Sequence, residues 1–360
     1  MPLPFSLFVD VNISVQDGLA ERFNFGVPIG IFDHSVTANR QDGPYTSVAE
    51  VTAAGFTSGA APEVNFWATS VFAQENGVES VMIGREDAGD ADWTATLDAV
   101  EAAGANDFYF INVETRAEAE ILLVAAWTEA RTKIAICQSS DAGILAGTPG
   151  NVALDLQAAG YNRTALIYHN TDSGAANGYL DGAWTSYGGG FNLDEPGGVG
   201  AWNYNQLSGI TPDSFTSAEA SEVLDADANL FHRLSGLNFT WEGTLASGRQ
   251  IETQTTVDWF QKRSEEAVLQ LFVSTPTKIP FDNGGITQVA SVVQGVLDRG
   301  VAFGHFLGNP GFEPVLTIPD ISQISAADRE AGVLRLTSTT NHVTLAGQIR
   351  RLVFNISVSF

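Results

Sequence analysis

The sequence predicts an α/β domain on a parallel sheet, followed by an α+β domain, with extended β-strand arms at both ends of the chain. Three observations carry this. Between about residues 78 and 170, short apolar runs (ESVMIG, DFYFINV, KIAICQ, TALIYH) alternate with segments of helical spacing (DADWTATLDAVEAA, ETRAEAEILLVAAWTEA, NVALDLQAAG). Such alternation marks βαβ units whose parallel sheet is covered on both faces. Beyond residue 203 the rhythm gives way to grouped helices and strands. At the extremes, Asn-Ile-Ser-Val occurs at Asn12–Val15 and again at Asn355–Val358, each time within alternating apolar and polar residues.

At the front, every odd position from Leu3 to Val15 is apolar, including Leu7, Val9, Val11, Ile13 and Val15. At the back, Leu352, Phe354, Ile356, Val358 and Phe360 fill the even positions. A strand over residues 3–15 would span about 45 Å, well beyond the usual five or six residues. An isolated strand leaves its N–H and C=O groups unmet, so each arm must add itself to a sheet edge. The pattern permits pairing with this chain's own sheets or donation to a neighbour by β-augmentation.

Taken in order, NFGVPIGIFD (24–33) reads as a buried strand. Ser47 followed by Glu50 is a capping box opening the helix SVAEVTAAG. Pro62 suits the first position of the next helix, whose Val64, Trp67, Val71 and Phe72 share one face. Thr115 and Glu118 form a second expected capping box. YGGGFNLDEPGGVGAW (187–202) breaks all periodicity and reads as a loop or domain junction. A capped helix (TSAEASEVLDAD) and strands ANLFHRL and LNFTWEG follow, then helices at about 253–272 and 283–300. PVLTIPDISQIS and VLRLTSTTNHVTLAG read as strands leading to IRRLVFNISVSF. The expected division is an N-terminal arm (1–20), an α/β domain (21–187), a glycine-rich loop (188–202), an α+β domain (203–345) and a C-terminal arm (346–360).

At 360 residues and 44% hydrophobic, the chain can bury a sizeable core. No apolar run reaches the roughly 18 residues of a membrane span, and no basic segment precedes an apolar one as in a signal peptide. The net charge of −25 argues against a nucleic-acid partner, which calls for clustered Lys and Arg. The charge is uneven: residues 1–230 hold 31 acidic and 7 basic groups, residues 231–360 hold 11 and 10. The first part suits a hydrated exterior, or a general acidity that aids solubility in salt; the second suits a surface packed on protein. The single cysteine, Cys137, rules out an internal disulfide and a cysteine-rich zinc site; within KIAICQ it reads as a buried, inert thiol made in a reducing compartment.

An α/β domain invites a search for catalysis. The chain contains no Gly-Lys-Ser or Gly-Lys-Thr, and ESVMIG is followed by REDAGDAD, carboxylates where a phosphate would sit. The glycines at 188–190 and 197–200 read as plain loop. None of His34, His169, His232, His305 and His342 stands at metalloprotease spacing, and no G-x-S-x-G is present. His169, at a strand exit near Asp172 and Ser173, is the best catalytic candidate, although a histidine there is more commonly a loop hydrogen-bonder. Asp258 and Glu265-Glu266, with Lys262 and Arg263 within a turn, read as a salt-bridged solvated face. No catalytic constellation, cofactor site or metal site is expected.

RFNFGVPIGIFD, SVAEVTAAG, FWATSVFAQ, SVMIGR, CQSSDAGIL, LQAAGYNRTALIYHN, YLDGAW, LNFTWEGTLASGRQIE, TVDWFQKRSEEAVLQLF, TKIPFDNGGITQV and ISAADREAG occur in an order and spacing over residues 8 to 360 that resembles the tail sheath proteins of contractile bacteriophages, in a compact branch. The −25 charge and the glycine loop at 188–200 are departures, and bear on the exterior and the host environment. The resemblance implies a structural protein without cofactor. Its copies would form stacked hexameric rings around a tail tube, joined by their terminal arms and meeting baseplate and tail terminator proteins. Contraction would drive the tube through the host envelope. The protein would be part of the virion, assembled in the host cytoplasm, with no nucleic-acid partner and no membrane insertion. The acidic domain would face outward and residues 203–345 inward, with Arg299 towards the tube and VLRLTSTTNHV as one acceptor of an arm. The alternatives are a soluble α/β enzyme or small-molecule binder with a site near His169 and Asp172, or another self-assembling tube or shell protein.

Overall fold

The computed structural model describes residues 23–104, 108–171, 173–335 and 343–347. The strands are β1 (Pro28–Asp33), β2 (Gln41–Tyr45), β3 (Val81–Glu86), β4 (Phe110–Val113), β5 (Ile134–Ser139), β6 (Thr164–Tyr168), β7 (Asn229–Leu234) and β8 (Leu237–Trp241). Among the described residues they make one sheet in the order β2-β3-β1-β4-β5-β6-β7-β8. From β3 to β7 all neighbours are parallel; β2 and β8 are antiparallel edges.

Parallel strands buried on both faces send successive side chains to opposite layers. Ile111 and Val113 of β4, Ala135 and Cys137 of β5, and Leu166 and Tyr168 of β6 enter one apolar cluster. Phe110, Ile134, Ile136, Ala165 and Ile167, their neighbours in sequence, enter the other. The first layer is covered by α3 (Trp93–Ala103), α4 (Glu118–Glu129), α6 (Val152–Ala159) and α8 (Ser217–Asp225). The second is covered by α2 (Pro62–Phe72), α7 (Leu180–Gly189), α9 (Ile251–Ser274) and α10 (Asn283–Phe303). Short helices α1 (Val48–Ala53), α5 (Ala142–Leu145) and α11 (Ala326–Ala331) are the other α-helices among the described residues. Cys137 is fully buried, and burial pushes its thiol up to about 12, as befits an inert core cysteine.

Several sequence expectations meet the structure at the level of single residues. Pro62 opens α2, with Val64, Trp67 and Val71 buried. Thr216 and Glu219 form a complete capping box at α8. Ser47 caps α1, but the Glu50 carboxylate turns to the Thr46 N–H and hydroxyl instead of closing the box. The expected box at Thr115 is absent: α4 starts at Glu118, and the Thr115 hydroxyl accepts from Ala117 N–H and donates to Glu120.

The glycines at 188–190 are not plain loop. Gly188 and Gly189 form the last turn of α7, and a Cβ at Gly188 would lie 2.7 Å from the Trp202 ring. Glycine is used there so that an indole can sit against backbone.

The expected boundary at 202/203 does not divide the sheet, since β7 pairs with β6. Asn229 secures that junction from a fully buried position: it donates to Leu166 O and Thr244 O and accepts from the N–H groups of Gly243 and Thr244. PVLTIPDISQIS does not form a strand; Pro314 and Pro319 lack the N–H a ladder needs, and the segment straps α10 instead. Gln294 Nε2 donates to Pro314 O at 2.8 Å, and Ile321 N–H donates to Asn283 Oδ1 at 2.8 Å.

Candidate functional site

The helical pair α9–α10 combines buried polar anchoring at one end with exposed apolar surface at the other. α9 begins inside the body. Asp258 is completely buried and receives both Arg163 Nη1 (2.7 Å) and Nη2 (2.8 Å), the Tyr109 hydroxyl (2.6 Å) and Gln254 Nε2 (3.0 Å). Burial, reinforced by the Asp258 carboxylate, holds the Tyr109 hydroxyl well above its ordinary range. The expected solvated face over Asp258–Glu266 is thus corrected: Asp258 is core, and Arg263 is buried against Asp194, Glu266 and Phe23 O. Only Lys262 with Glu265, at 3.2 Å, fits the surface reading. The sequence could not show this, because Arg163 lies 95 residues from its partner.

The next residue, Trp259, donates to Asp194 Oδ1 at 2.9 Å and stacks on His305, with ring centroids 4.1 Å apart. Burial lowers the His305 pKa, which favours the neutral ring. Its Nε2 lies 2.8 Å from Leu193 O and its Nδ1 3.1 Å from Thr256 Oγ1, a geometry that the neutral ring meets by donating to the carbonyl and accepting from the hydroxyl. These bonds tie the 190–200 segment to both helices.

Beyond Val268 the helix is largely exposed. Leu269, Phe272 and Val273 are 55%, 53% and 76% exposed, on a stretch, AVLQLFVS (267–274), without a charge. Phe312, Val315 and Ile318 are exposed in the strap across α10. A helix apolar on several sides in water implies a covering partner.

The first and the last of the described residues meet this region. Phe23 N–H donates to Glu266 Oε1 at 2.8 Å and Phe23 O accepts from Arg263 Nη2 at 3.0 Å. Near the other end, Leu307 N–H donates to Thr344 O (2.9 Å) and Ala346 N–H to His305 O (3.0 Å), with Phe306 and Leu345 bridged antiparallel. The arm positions themselves, Leu7 to Val15 and Leu352 to Phe360, lie outside the described residues, as does most of VLRLTSTTNHV. Arg299 is half-buried on α10 beside Asp298, which accepts from Gln294 Nε2.

His169 is buried at the end of β6, its Nδ1 2.8 Å from Asp213 Oδ2 and its Nε2 2.8 Å from Asn177 O. Both nitrogens are engaged by protein groups, and the acid is Asp213 from another segment; Asp172 lies outside the described residues. Among the described residues no group of three or more His, Cys, Asp or Glu is placed to hold a metal ion, and no helix is long and apolar enough to cross a membrane.

Residues 251–312, the helical pair and the start of the strap, match the family model of the E217 tail sheath protein gp31-like C-terminal domain. Over its whole length the chain is similar to solved structures at low identity. A chain of the anti-feeding prophage baseplate superposes with a TM-score of 0.65 at 13% identity, covering 98% of this chain and 100% of that one. The sheath of an extracellular contractile injection system, PVC, in the contracted state gives 0.61 at 13%, covering 98% and 97%. The contracted helical sheath of the anti-feeding prophage gives 0.59 at 11%, covering 97% and 98%. No curated protein matches the chain in sequence. In its fold throughout, and in the family of its residues 251–312, the chain is similar to the sheath proteins of contractile phage tails and injection systems.

Proposed function

We propose that this chain is the sheath subunit of a contractile tail. Copies assemble as stacked hexameric rings around a tail tube, exchange their terminal arms as β-strands, and shorten to drive the tube through an envelope. The observation that carries this is the family match at 251–312, which falls on the helical region that holds Phe23 and residues 344–346 and exposes the apolar surface.

The physical chemistry is compatible with such a machine. The Asp258–Arg163–Tyr109 and Trp259–His305–Leu193 contacts fasten the helical pair to the sheet, so each copy would move largely as one body. Arms that pair through backbone would keep copies linked while the angle between bodies changes. A repeated contact between unlike surfaces builds a helical filament when it does not close. The energy would come from an extended state relaxing to one with more buried contact, with no nucleotide needed. The acidic α/β part would face outward, and residues 203–345 inward with Arg299 at the tube. Baseplate and terminator proteins would meet the ends of the stack, in a particle assembled in the host cytoplasm.

Negative-stain electron microscopy of the purified protein tests this: wide hollow tubes are expected. Closed shells, or monomers at every concentration and salt, would overturn it. Arg299→Glu should impair assembly on the tube while leaving tube-free polymers intact; unaltered tube assembly would remove that residue's role.

A further inference from the structure

A groove of about 480 Å³ runs beside the β7–β8 hairpin, at the opposite edge of the sheet from β2, and shares no residue with the α9–α10 region. We propose that this groove binds one sugar ring of a neutral oligosaccharide, with Tyr204 stacked against the sugar. The ligand does not depend on whether the chain is a sheath subunit.

The lining is polar and nearly neutral. Tyr187, Gln206, Ser208 and Asn238 offer hydroxyls and amides, Glu75 is the one carboxylate, and no Lys, Arg or His is present. A phosphate or carboxylate ligand would meet no cation there, and a wholly apolar one would leave these groups unpaired. Sugar hydroxyls both donate and accept, so they match amides and hydroxyls alike. The size falls within the range of small-molecule pockets. Asn238 Oδ1 has no donor within the protein, and a sugar hydroxyl in the groove would provide one.

The backbone presents Tyr204 at a cost. Its φ of 60° is left-handed, a region that bulky residues with a Cβ rarely enter. Tyr204 N–H donates to Thr240 O at 2.8 Å and Thr240 N–H to Asn205 O at 3.0 Å, so β8 holds the residue in that state. Its ring packs edge-on against Trp241, with centroids 5.1 Å apart at 81°, and tilted on Phe239 at 5.7 Å. It is still 42% exposed. Residues held in such conformations gather at ligand sites. An aromatic ring fixed at the wall of a polar groove gives the C–H face of a sugar an apolar contact while the hydroxyls meet the amides.

Saturation-transfer difference NMR on the full chain tests this with maltotetraose, cellotetraose and tetra-N-acetylchitotetraose. At least one should receive transfer, strongest at the protons of one ring face. Tyr204→Asn removes the aromatic ring and keeps a residue that tolerates the left-handed backbone; it should raise the Kd of that saccharide about tenfold. Gln206→Ala removes an exposed amide, so the fold is kept, and should raise the Kd about threefold to tenfold. No transfer to any of the three overturns the site, as does transfer that both variants leave unchanged, since the saccharide then sits elsewhere. Tetralysine bound at the groove with no saccharide bound would make Glu75 the determinant and overturn it too. Tubes that take no saccharide remove the sugar site alone; a chain that takes saccharide and forms no tubes loses the sheath reading alone.

Discussion

Exchanging Asp258 for alanine would leave the Arg163 guanidinium, the Tyr109 hydroxyl and Gln254 Nε2 without the carboxylate that now receives all of them. Removing one member of a buried ion pair costs about 3–5 kcal/mol, because the remaining charge stays out of water. Native domains have only about 5–15 kcal/mol in hand, so this substitution alone should take away about a fifth of the stability or more. With a urea slope of about 3 kcal/mol per molar, the unfolding midpoint should fall by about 1–1.7 M. Tryptophan fluorescence is a suitable readout, since Trp259 is the next residue along α9 and is itself fully buried. The double change Arg163→Met with Asp258→Leu should cost less than Asp258→Ala, because it leaves no orphan charge. A midpoint within about 0.3 M of wild type for Asp258→Ala, or a double variant as damaged as the two singles added together, would refute the buried pair as the anchor of the helical layer.

Further outcomes follow from the same geometry. Burial, helped by Glu114, Glu120, Asp33 and Asp90, raises the Glu86 carboxyl to about 7. The folded state therefore holds this proton more tightly than the unfolded one, so stability rises as pH falls from about 7 towards 4.5 and is lowest above 7. The full shift corresponds to about 3 kcal/mol, cut to about 1 because Glu86 is only half-buried and screened by water. Glu86→Gln should stabilise by about that amount at pH 8 and leave pH 4 unchanged in urea titrations; equal effects at both pH values would count against it. Gly188→Ala should lower the stability by about 1–3 kcal/mol in urea titrations through overpacking against Trp202, with Trp202→Ala added to Gly188→Ala relieving the clash in a double-mutant cycle. Asn229→Ala orphans two buried N–H groups and two carbonyls at the β6–β7 junction; a loss of about 2 kcal/mol or more is expected in denaturant, and a neutral result would contradict the bonding.

The parallel sheet was legible in the sequence because burial on both faces leaves a local record. Runs such as KIAICQ and TALIYH must be apolar throughout, and each became a strand. Helix starts at Pro62 and Thr216 were legible for the same reason, since a cap acts within four residues. The α9 and α10 helices were visible in their spacing, and the match at 251–312 falls on them. What escaped the sequence were contacts between distant residues. His169 meets Asp213 across 44 positions and Asp258 meets Arg163 across 95, so proximity along the chain pointed to the wrong partner for one and to the surface for the other. Gly188 looked like loop because the Trp202 ring that requires it is set against it only by folding. The strap 314–321 carries strand letters, yet its prolines and the amides of Asn283 and Gln294 settle it on a helix. Periodicity is written by burial, which each residue experiences locally; partner choice is decided by where the backbone returns, and only the tertiary structure holds that information.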